Sequence, residues 1–149
     1  PSPKAIKAAN DVLLKVNTYP EVTSDTLSKK IKAKYKLKNT EVVIGNGMDH
    51  IFEMLARLFI DNGDETIVCP PTFACYELCT LWAGGKPVFI PLKKDNQLNV
   101  QKILSSINKK TKIIFICSPN NPTGNLIKEA DIKKILESTN KIVFLDEAY

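Results

Sequence analysis

The sequence is poor in the residues that bind metals and nucleic acids. His50 is the single histidine, and the four cysteines form no CxxC pair, so no zinc site is expected. The net charge of +5 comes mostly from lysine, and Arg57 is the only arginine. Proteins that bind nucleic acid usually combine clustered arginine with stacking aromatic residues. We therefore interpret the lysines as a solvated surface and expect no nucleic-acid partner.

Long apolar runs and a secretory leader are also missing. No stretch is long and apolar enough to span a membrane, and the N-terminus PSPKAIKAAN is polar. The composition, 44% hydrophobic and 25% charged, is typical of a globular domain with a real core. Cysteines without partners fit a reducing, cytoplasmic location with no membrane partner. Because the first residue is proline, we expect the sequence to begin inside a longer chain.

The apolar residues follow two patterns along the chain, one with helical spacing and one of short continuous runs. Helical spacing of apolar residues predicts helices over residues 4–16, 24–35, 48–60, 73–83, 99–107 and 128–138. Short apolar runs predict strands in EVVIG, TIVC, KPVFIPL, KIIFI and KIVFLD. Strands and helices alternate from residue 42 onward, and the strands do not alternate with polar residues. This pattern favours an α/β fold with three α/β/α layers around a mainly parallel sheet.

Three of the predicted strands end in unusual residues. These ends are residues 45–49, 118–124 and 146–149. In parallel sheets a ligand binds beyond the carboxyl ends of the strands. We expect the three segments to converge on one crevice.

The segment GNGMDH, residues 45–50, is expected to open a helix directly after a strand. Glycines allow close backbone approach, and the amides of a first helical turn attract an anion such as phosphate. A dinucleotide-binding fingerprint is disfavoured, because His50 stands at its third glycine position and the next strand ends in Cys69 and prolines. A plain strand-to-helix connection stays open as the alternative.

Asp146, Asn121 and Phe73 are the other candidate site residues. Asp146 follows an apolar strand, where a carboxylate needs a partner; that partner is either a cation in the crevice or a cap or salt bridge. Asn121 stands in the proline-rich turn and either donates to a ligand or bonds its own backbone. Phe73 either stacks on a flat ring or packs in the core. Tyr149 adds a phenol.

The motifs GNGMDHI, PPTFACY, SPNNPTG and DEAY together resemble those of the fold-type I aminotransferases, which use pyridoxal phosphate. Within that group the sequence most resembles the histidinol-phosphate aminotransferases, from about NTYPE to Tyr149. The resemblance implies transamination of L-histidinol phosphate with 2-oxoglutarate in histidine biosynthesis. Threonine-phosphate decarboxylase, an aromatic aminotransferase of the same fold and a non-catalytic module that binds pyridoxal phosphate remain alternatives.

The resemblance also implies a role for each matching residue. The backbone amides of Gly47, Met48 and Asp49 would hold the cofactor phosphate, and Phe73 would stack on the pyridine ring. Asn121 and Tyr149 would hydrogen-bond the 3-oxygen of the ring, and Asp146 would pair with the ring nitrogen. Tyr19 would reach the cofactor phosphate of a neighbouring subunit, which implies a homodimer.

Other parts of the family pattern have no counterpart in these 149 residues. The Schiff-base lysine and the arginine for the substrate carboxylate lie beyond the DEAY motif in the family. We therefore expect the chain to be inactive alone and to be an N-terminal portion of a longer enzyme. Residues 1–39 would be an arm and helices of the small domain, and residues 40–149 the first part of the cofactor-binding large domain.

Overall fold

The computed structural model describes residues 1–149. Backbone contacts divide the chain into two compact units, Pro1–Ile44 and Gly45–Tyr149. The helices are α1 (Pro3–Leu13), α2 (Asp25–Tyr35), α3 (Gly47–Phe59), α4 (Cys75–Trp82), α5 (Val100–Ser106) and α6 (Glu129–Ser138). The strands are β1 (Glu65–Val68), β2 (Lys86–Phe89), β3 (Thr111–Cys117) and β4 (Ile142–Asp146).

The first unit contains α1 and α2, neither of which has a fully buried residue. Ser24 occupies the N-cap position of α2, but its side chain makes no capping hydrogen bond. The carboxylate of Glu21 takes over that role and accepts from the backbone N–H of Thr26 over 2.9 Å. Lys36 ends the helix in the left-handed conformation.

The second unit is built on one parallel sheet with the strand order β2-β1-β3-β4. The chain leaves β1 toward β2 and then returns to the other side of β1 to form β3. The carboxyl ends of β1 and β3 therefore form a topological switch point, where α/β proteins bind their ligands. The loops that leave this point are residues 69–74 and 118–128.

Helices cover both faces of the sheet because the side chains of the strands alternate between two apolar clusters. On β3, Ile114 and Ile116 belong to the cluster that α5 and α6 complete. Ile113, Phe115 and Cys117 belong to the cluster that α3 and α4 complete. The prediction of an α/β/α fold around a parallel sheet is thus confirmed.

The predicted strand in EVVIG is wrong. Residues 41–45 are not part of the sheet, and the first strand of the chain is β1. Val43 is 70% exposed, so this short apolar run lacks the burial and the ladder partner that would make it a strand. The other four strands and all six helices are present, with bounds that differ by a few residues. None of these helices combines the length and apolar character needed to cross a bilayer.

Candidate functional site

Asn120 ties together the two loops at the switch point. Its Nδ2 donates to the carbonyl oxygen of Pro71 over 2.9 Å, and its Oδ1 accepts from Thr72 Oγ1 over 3.0 Å. The side chain is only 4% exposed. These bonds fix the β3–α6 turn against the β1–α4 loop, so the carboxyl ends of β1 and β3 share one rigid wall.

The same asparagine also closes the turn internally. Its backbone carbonyl accepts from Gly124 N–H over 2.7 Å, and its N–H donates to the carbonyl of Asn125 over 2.9 Å. Its Nδ2 reaches Thr123 Oγ1 at 2.6 Å, and Thr123 in turn donates to Asn125 Oδ1. Asn120, Thr123 and Asn125 therefore satisfy one another, so these polar residues can follow a core strand.

Asn121 and Tyr149 are brought together by the pairing of β3 with β4. Cys117 lies opposite Asp146 in the register, and the two chain segments that follow remain neighbours. Asn121 and Tyr149 line one cavity of about 280 Å³, with Pro119, Pro122 and Gly124 among its other walls. An amide and a phenol thus meet at one recess beyond the strand ends.

Asp146 lies at the end of β4 with a side chain that is 4% exposed. Its Oδ2 accepts from the hydroxyl of Tyr76 over 2.7 Å, and its Oδ1 accepts from the N–H of Ala148 over 3.0 Å. No salt bridge in this chain involves the carboxylate, and its bond to the Ala148 N–H is a local one of the capping kind. Two neutral donors compensate part of the cost of burying the charge, and a cation would complete its environment.

Tyr76, which the sequence patterns did not single out as a site residue, is fully buried on α4. Its ring stacks on Phe115, with centroids 4.9 Å apart and an interplanar angle of 11°, and meets the edge of Phe52 at 5.4 Å. Burial, followed by the hydrogen bonds with Cys117 and Asp146, raises the pKa of the phenol well above its ordinary value. Its hydroxyl is therefore a permanent hydrogen-bond donor. A tyrosine on the apolar face of a helix needs a partner for its hydroxyl, and that was the available signal.

The first turn of α3 holds the predicted phosphate-binding residues. Gly47 begins the helix with a φ of 77°, a conformation that suits glycine, and the Asn46 side chain does not cap the helix. The amides of this turn have no intrahelical partners. Asp49 Oδ1 accepts from the Cys75 thiol at 3.9 Å, which places the start of α3 beside the start of α4.

Phe73 belongs to the same aromatic cluster as Tyr76. The ring centroids of these two residues lie 5.8 Å apart, and Phe73 also contacts Phe52 at 6.2 Å. Phe73 is partly exposed, so one part of the ring packs in the core while the rest remains accessible. Tyr19 belongs to the first unit, where its side chain is fully exposed at 101%.

These groups differ in the ligand chemistry that they favour. The start of α3 attracts an anion, Asp146 attracts a cation, and Asn121 with Tyr149 offers hydrogen bonds to a neutral or anionic oxygen. A larger open groove of about 830 Å³ runs along α3 and α4, but neither Asp146 nor Asn121 lines it. The candidate site is at the switch point, where Asn120 joins the two loops and Asn121 and Tyr149 share a recess.

Comparison of the sequence with models of protein families identifies the family to which the chain belongs. The model of the aminotransferases of class I and II matches residues 1–149. The chain belongs to this family. The histidinol-phosphate aminotransferase of Methanosarcina mazei is 45% identical over 150 residues, which cover 100% of this chain and 41% of that protein. The enzyme of the same name from Listeria welshimeri is 37% identical, covering 99% of this chain and 42% of that protein.

Solved structures of aminotransferases share the fold. The histidinol-phosphate aminotransferase of Sinorhizobium meliloti, in complex with pyridoxal-5'-phosphate, superposes with a TM-score of 0.90 at 18% identity. That match covers 100% of this chain and 41% of the solved chain. The aspartate aminotransferase of Thermotoga maritima gives a TM-score of 0.84 at 26% identity, covering 99% of this chain and 43% of the other. The chain thus spans about two fifths of the length of these relatives.

Proposed function

We propose that this aminotransferase binds pyridoxal phosphate at the switch point and uses it for transamination. The observation that carries the proposal is the buried carboxylate of Asp146, which has two neutral donors and no cationic partner in the chain. Such a carboxylate is matched by a ligand with a cationic ring nitrogen. The cavity lined by Asn121 and Tyr149 adds the donors that the oxygen of such a ring needs.

The residues present fit the remaining parts of this cofactor. The amides of Gly47, Met48 and Asp49, in the first turn of α3, would hold the phosphate. A Cβ built at Gly47 meets no atom within 4 Å, so the backbone there is open to close approach. The accessible part of Phe73 would stack on the ring. When bound, pyridoxal phosphate supplies an electron-withdrawing ring that stabilises negative charge on the α-carbon of an amino acid.

Each residue of the chain then has a definite task. Asp146 would hold a proton on the ring nitrogen by pairing with it, and Asn121 and Tyr149 would orient the ring through its 3-oxygen. The rigid NNPTG turn, fixed by Asn120, keeps the Asn121 amide in place. Pro119 and Pro122 form an apolar wall on one side of the recess.

We propose L-histidinol phosphate and 2-oxoglutarate as the substrate pair. Relatives that are 36–45% identical over nearly the whole chain carry the name histidinol-phosphate aminotransferase, and this supports the assignment. The lysine and the substrate-binding arginines of the family follow the DEAY motif, so activity is a property of the full-length protein. Threonine-phosphate decarboxylase and aromatic aminotransferase activity are the rival functions on the same fold.

The domain and subunit assignments belong to the same proposal. Residues 40–149 are assigned to the cofactor-binding large domain and residues 1–39 to the arm and the small domain. The division of backbone contacts after Ile44 supports a boundary in this region. Tyr19 would contact the cofactor phosphate of a second subunit in a homodimer, and the full exposure of its side chain supports that role.

The test is a competition among amino donors with the full-length protein. Glutamate formation from 2-oxoglutarate is measured with L-histidinol phosphate or L-phenylalanine, and carbon dioxide release with L-threonine phosphate. We expect the highest kcat/KM for L-histidinol phosphate. A higher value for phenylalanine, or release of carbon dioxide, would replace the proposed substrate by the corresponding rival. Binding of pyridoxal phosphate without turnover of any donor would identify a non-catalytic module.

A further inference from the structure

The Tyr76 side chain is held in place by the aromatic rings of three other residues. Its ring stacks on the ring of Phe115 and is in edge-to-face contact with the rings of Phe52 and Phe73. Stacked and edge-to-face rings in a packed core leave the side chain one orientation. The hydroxyl of Tyr76 therefore points to one fixed place, and Asp146 Oδ2 lies there at 2.7 Å.

The hydrogen bonds of Asp146 leave part of its accepting capacity unused. Each carboxylate oxygen has two lone pairs, and one on each oxygen is taken, by Tyr76 and by Ala148. The Ala148 bond is local, because donor and acceptor are two positions apart in the sequence. The Tyr76 bond spans 70 residues and is the one that anchors the carboxylate to a different helix.

We propose that Tyr76 is a positioning residue, which orients the Asp146 carboxylate and keeps it anionic opposite the ring nitrogen of pyridoxal phosphate. This inference rests on the proposed function and adds a residue to it. Tyr76 acts through Asp146 and does not touch the cofactor.

The physical reason is competition for one proton. A buried carboxylate next to a protonated ring nitrogen can take the proton and leave two neutral groups, because burial disfavours both charges. A hydrogen bond donated to the carboxylate stabilises its charged form and so keeps the proton on the ring. The phenol is suited to this task because its raised pKa prevents it from ionising.

The experiment compares two variants of the full-length protein that each lose one buried hydroxyl from α4. Tyr76→Phe removes the bond to Asp146 and keeps the stacked ring. Thr80→Val is the matched control: Thr80 is fully buried one turn away and bonds Thr66 and the Tyr76 carbonyl, not Asp146. The readouts are the dissociation constant of pyridoxal phosphate and the nitrogen-15 NMR shift of cofactor labelled at the ring nitrogen.

We expect Tyr76→Phe to weaken cofactor binding about tenfold to a hundredfold, as for the loss of a hydrogen bond to a charged group. The nitrogen-15 shift should move toward that of an unprotonated pyridine, whereas Thr80→Val should keep the wild-type shift. A wild-type shift in Tyr76→Phe, or an equal change in both variants, overturns the role of Tyr76. A wild-type protein that binds no pyridoxal phosphate overturns the proposed function, and this inference with it.

A second substitution keeps the inference testable should Tyr76→Phe fail to fold. Incorporation of 3,5-difluorotyrosine at position 76 retains the ring and makes the hydroxyl a stronger donor. The nitrogen-15 shift should then stay at that of a protonated pyridine, as in the wild type. A shift toward the unprotonated value overturns the inference.

Discussion

The side-chain amide of Asn120 donates to the backbone carbonyl of Pro71 over 2.9 Å, across 49 residues of sequence. This bond, with the one from Thr72, joins the carboxyl ends of β1 and β3 at the switch point. Two adjacent asparagines therefore have different tasks. Asn120 builds the wall of the site, and Asn121 lines its cavity.

Substitution of Asn120 tests this division of labour. Asn120→Ala removes the buried amide that bonds the Pro71 carbonyl and the Thr72 hydroxyl, which should lower the free energy of unfolding by about 2 kcal/mol. Asn121→Ala should change it by no more than about 0.5 kcal/mol, as for a surface residue, and should instead weaken the binding of pyridoxal phosphate. Urea unfolding and cofactor titration of both variants provide the comparison. Equal destabilisation by the two substitutions would contradict the assignment.

Gly47 provides a prediction at the anion-binding end of α3. Its φ of 77° is unfavourable for other residues, so Gly47→Ala should lower the free energy of unfolding by about 1–2 kcal/mol. Gly63 is a matched control, because its φ is 86° and a Cβ there also meets no atom within 4 Å. Gly63→Ala should cost a similar amount by urea unfolding. Only Gly47→Ala should weaken cofactor binding, and an equal loss in both variants would refute a role for the α3 turn.

Asp146 can be tested by removing its charge without changing its shape. Asp146→Asn should reduce kcat/KM for transamination by about 10²-fold or more, the usual effect of losing one preorganised electrostatic group. The amide oxygen can still accept from Tyr76, so the fold should be retained. Glu147→Gln removes a charge at the neighbouring exposed position and should leave kcat/KM unchanged. A fully active Asp146→Asn variant would exclude the pairing of this carboxylate with a cationic ring.

The sequence was sufficient for the local features of the fold. Apolar residues at helical spacing located α3, and the apolar run KIIFI located β3, because burial imposes these periodicities on each element. The same logic failed for EVVIG. An apolar run becomes a strand only if a neighbouring strand accepts its hydrogen bonds, and the run itself does not contain that information.

The candidate site was predictable only where residues act near their own strand end. Asn121 and Tyr149 could be proposed from their positions, since both follow a predicted strand. Tyr76 and Asn120 could not, because their partners lie 70 and 49 residues away in the sequence. Such partners are set by the strand order, and β3 returning to the side of β1 opposite β2 is not visible in any local pattern.

The pKa of the Cys75 thiol depends on the charge of Asp49 at the start of α3. Its partial burial, and then the charge and hydrogen bond of Asp49, raise the pKa of its thiol. Asp49→Asn removes the negative charge, so the pKa should fall and more thiolate should be present at neutral pH. Alkylation of Cys75 by iodoacetamide in the cofactor-free protein, followed by mass spectrometry, should then be faster. Glu53→Gln, on the same helix but paired with Arg57, should leave the rate unchanged, and an equal acceleration would argue against the Asp49 contact.

The buried thiols of Cys69 and Cys79 predict how stability depends on alkaline pH. Burial raises the pKa of Cys69 from 9.0 to about 12 and that of Cys79 from 9.0 to about 11. Below pH 9 each thiol is protonated in both the folded and the unfolded state, so their contribution is constant. Above pH 9 the unfolded thiols ionise first, which favours unfolding by about 1.4 kcal/mol per pH unit for each thiol. The loss continues until the pH passes the folded-state pKa.

A variant without the Cys69 thiol separates this effect from general alkaline destabilisation. The free energy of unfolding of Cys69→Ala is measured in urea at several pH values between about 9 and about 11. It should fall less steeply with pH than that of the wild type, by the contribution of one thiol, about 1.4 kcal/mol per pH unit. Ile67→Val, at a fully buried position on β1, should cost about 1 kcal/mol at every pH without changing the slope. If Cys69→Ala kept the wild-type slope, the thiol would have to ionise as readily in the folded core as in the unfolded chain. The contacts of Cys69 with the apolar cluster around Ile67 and Ile114 make that outcome incompatible with the structure.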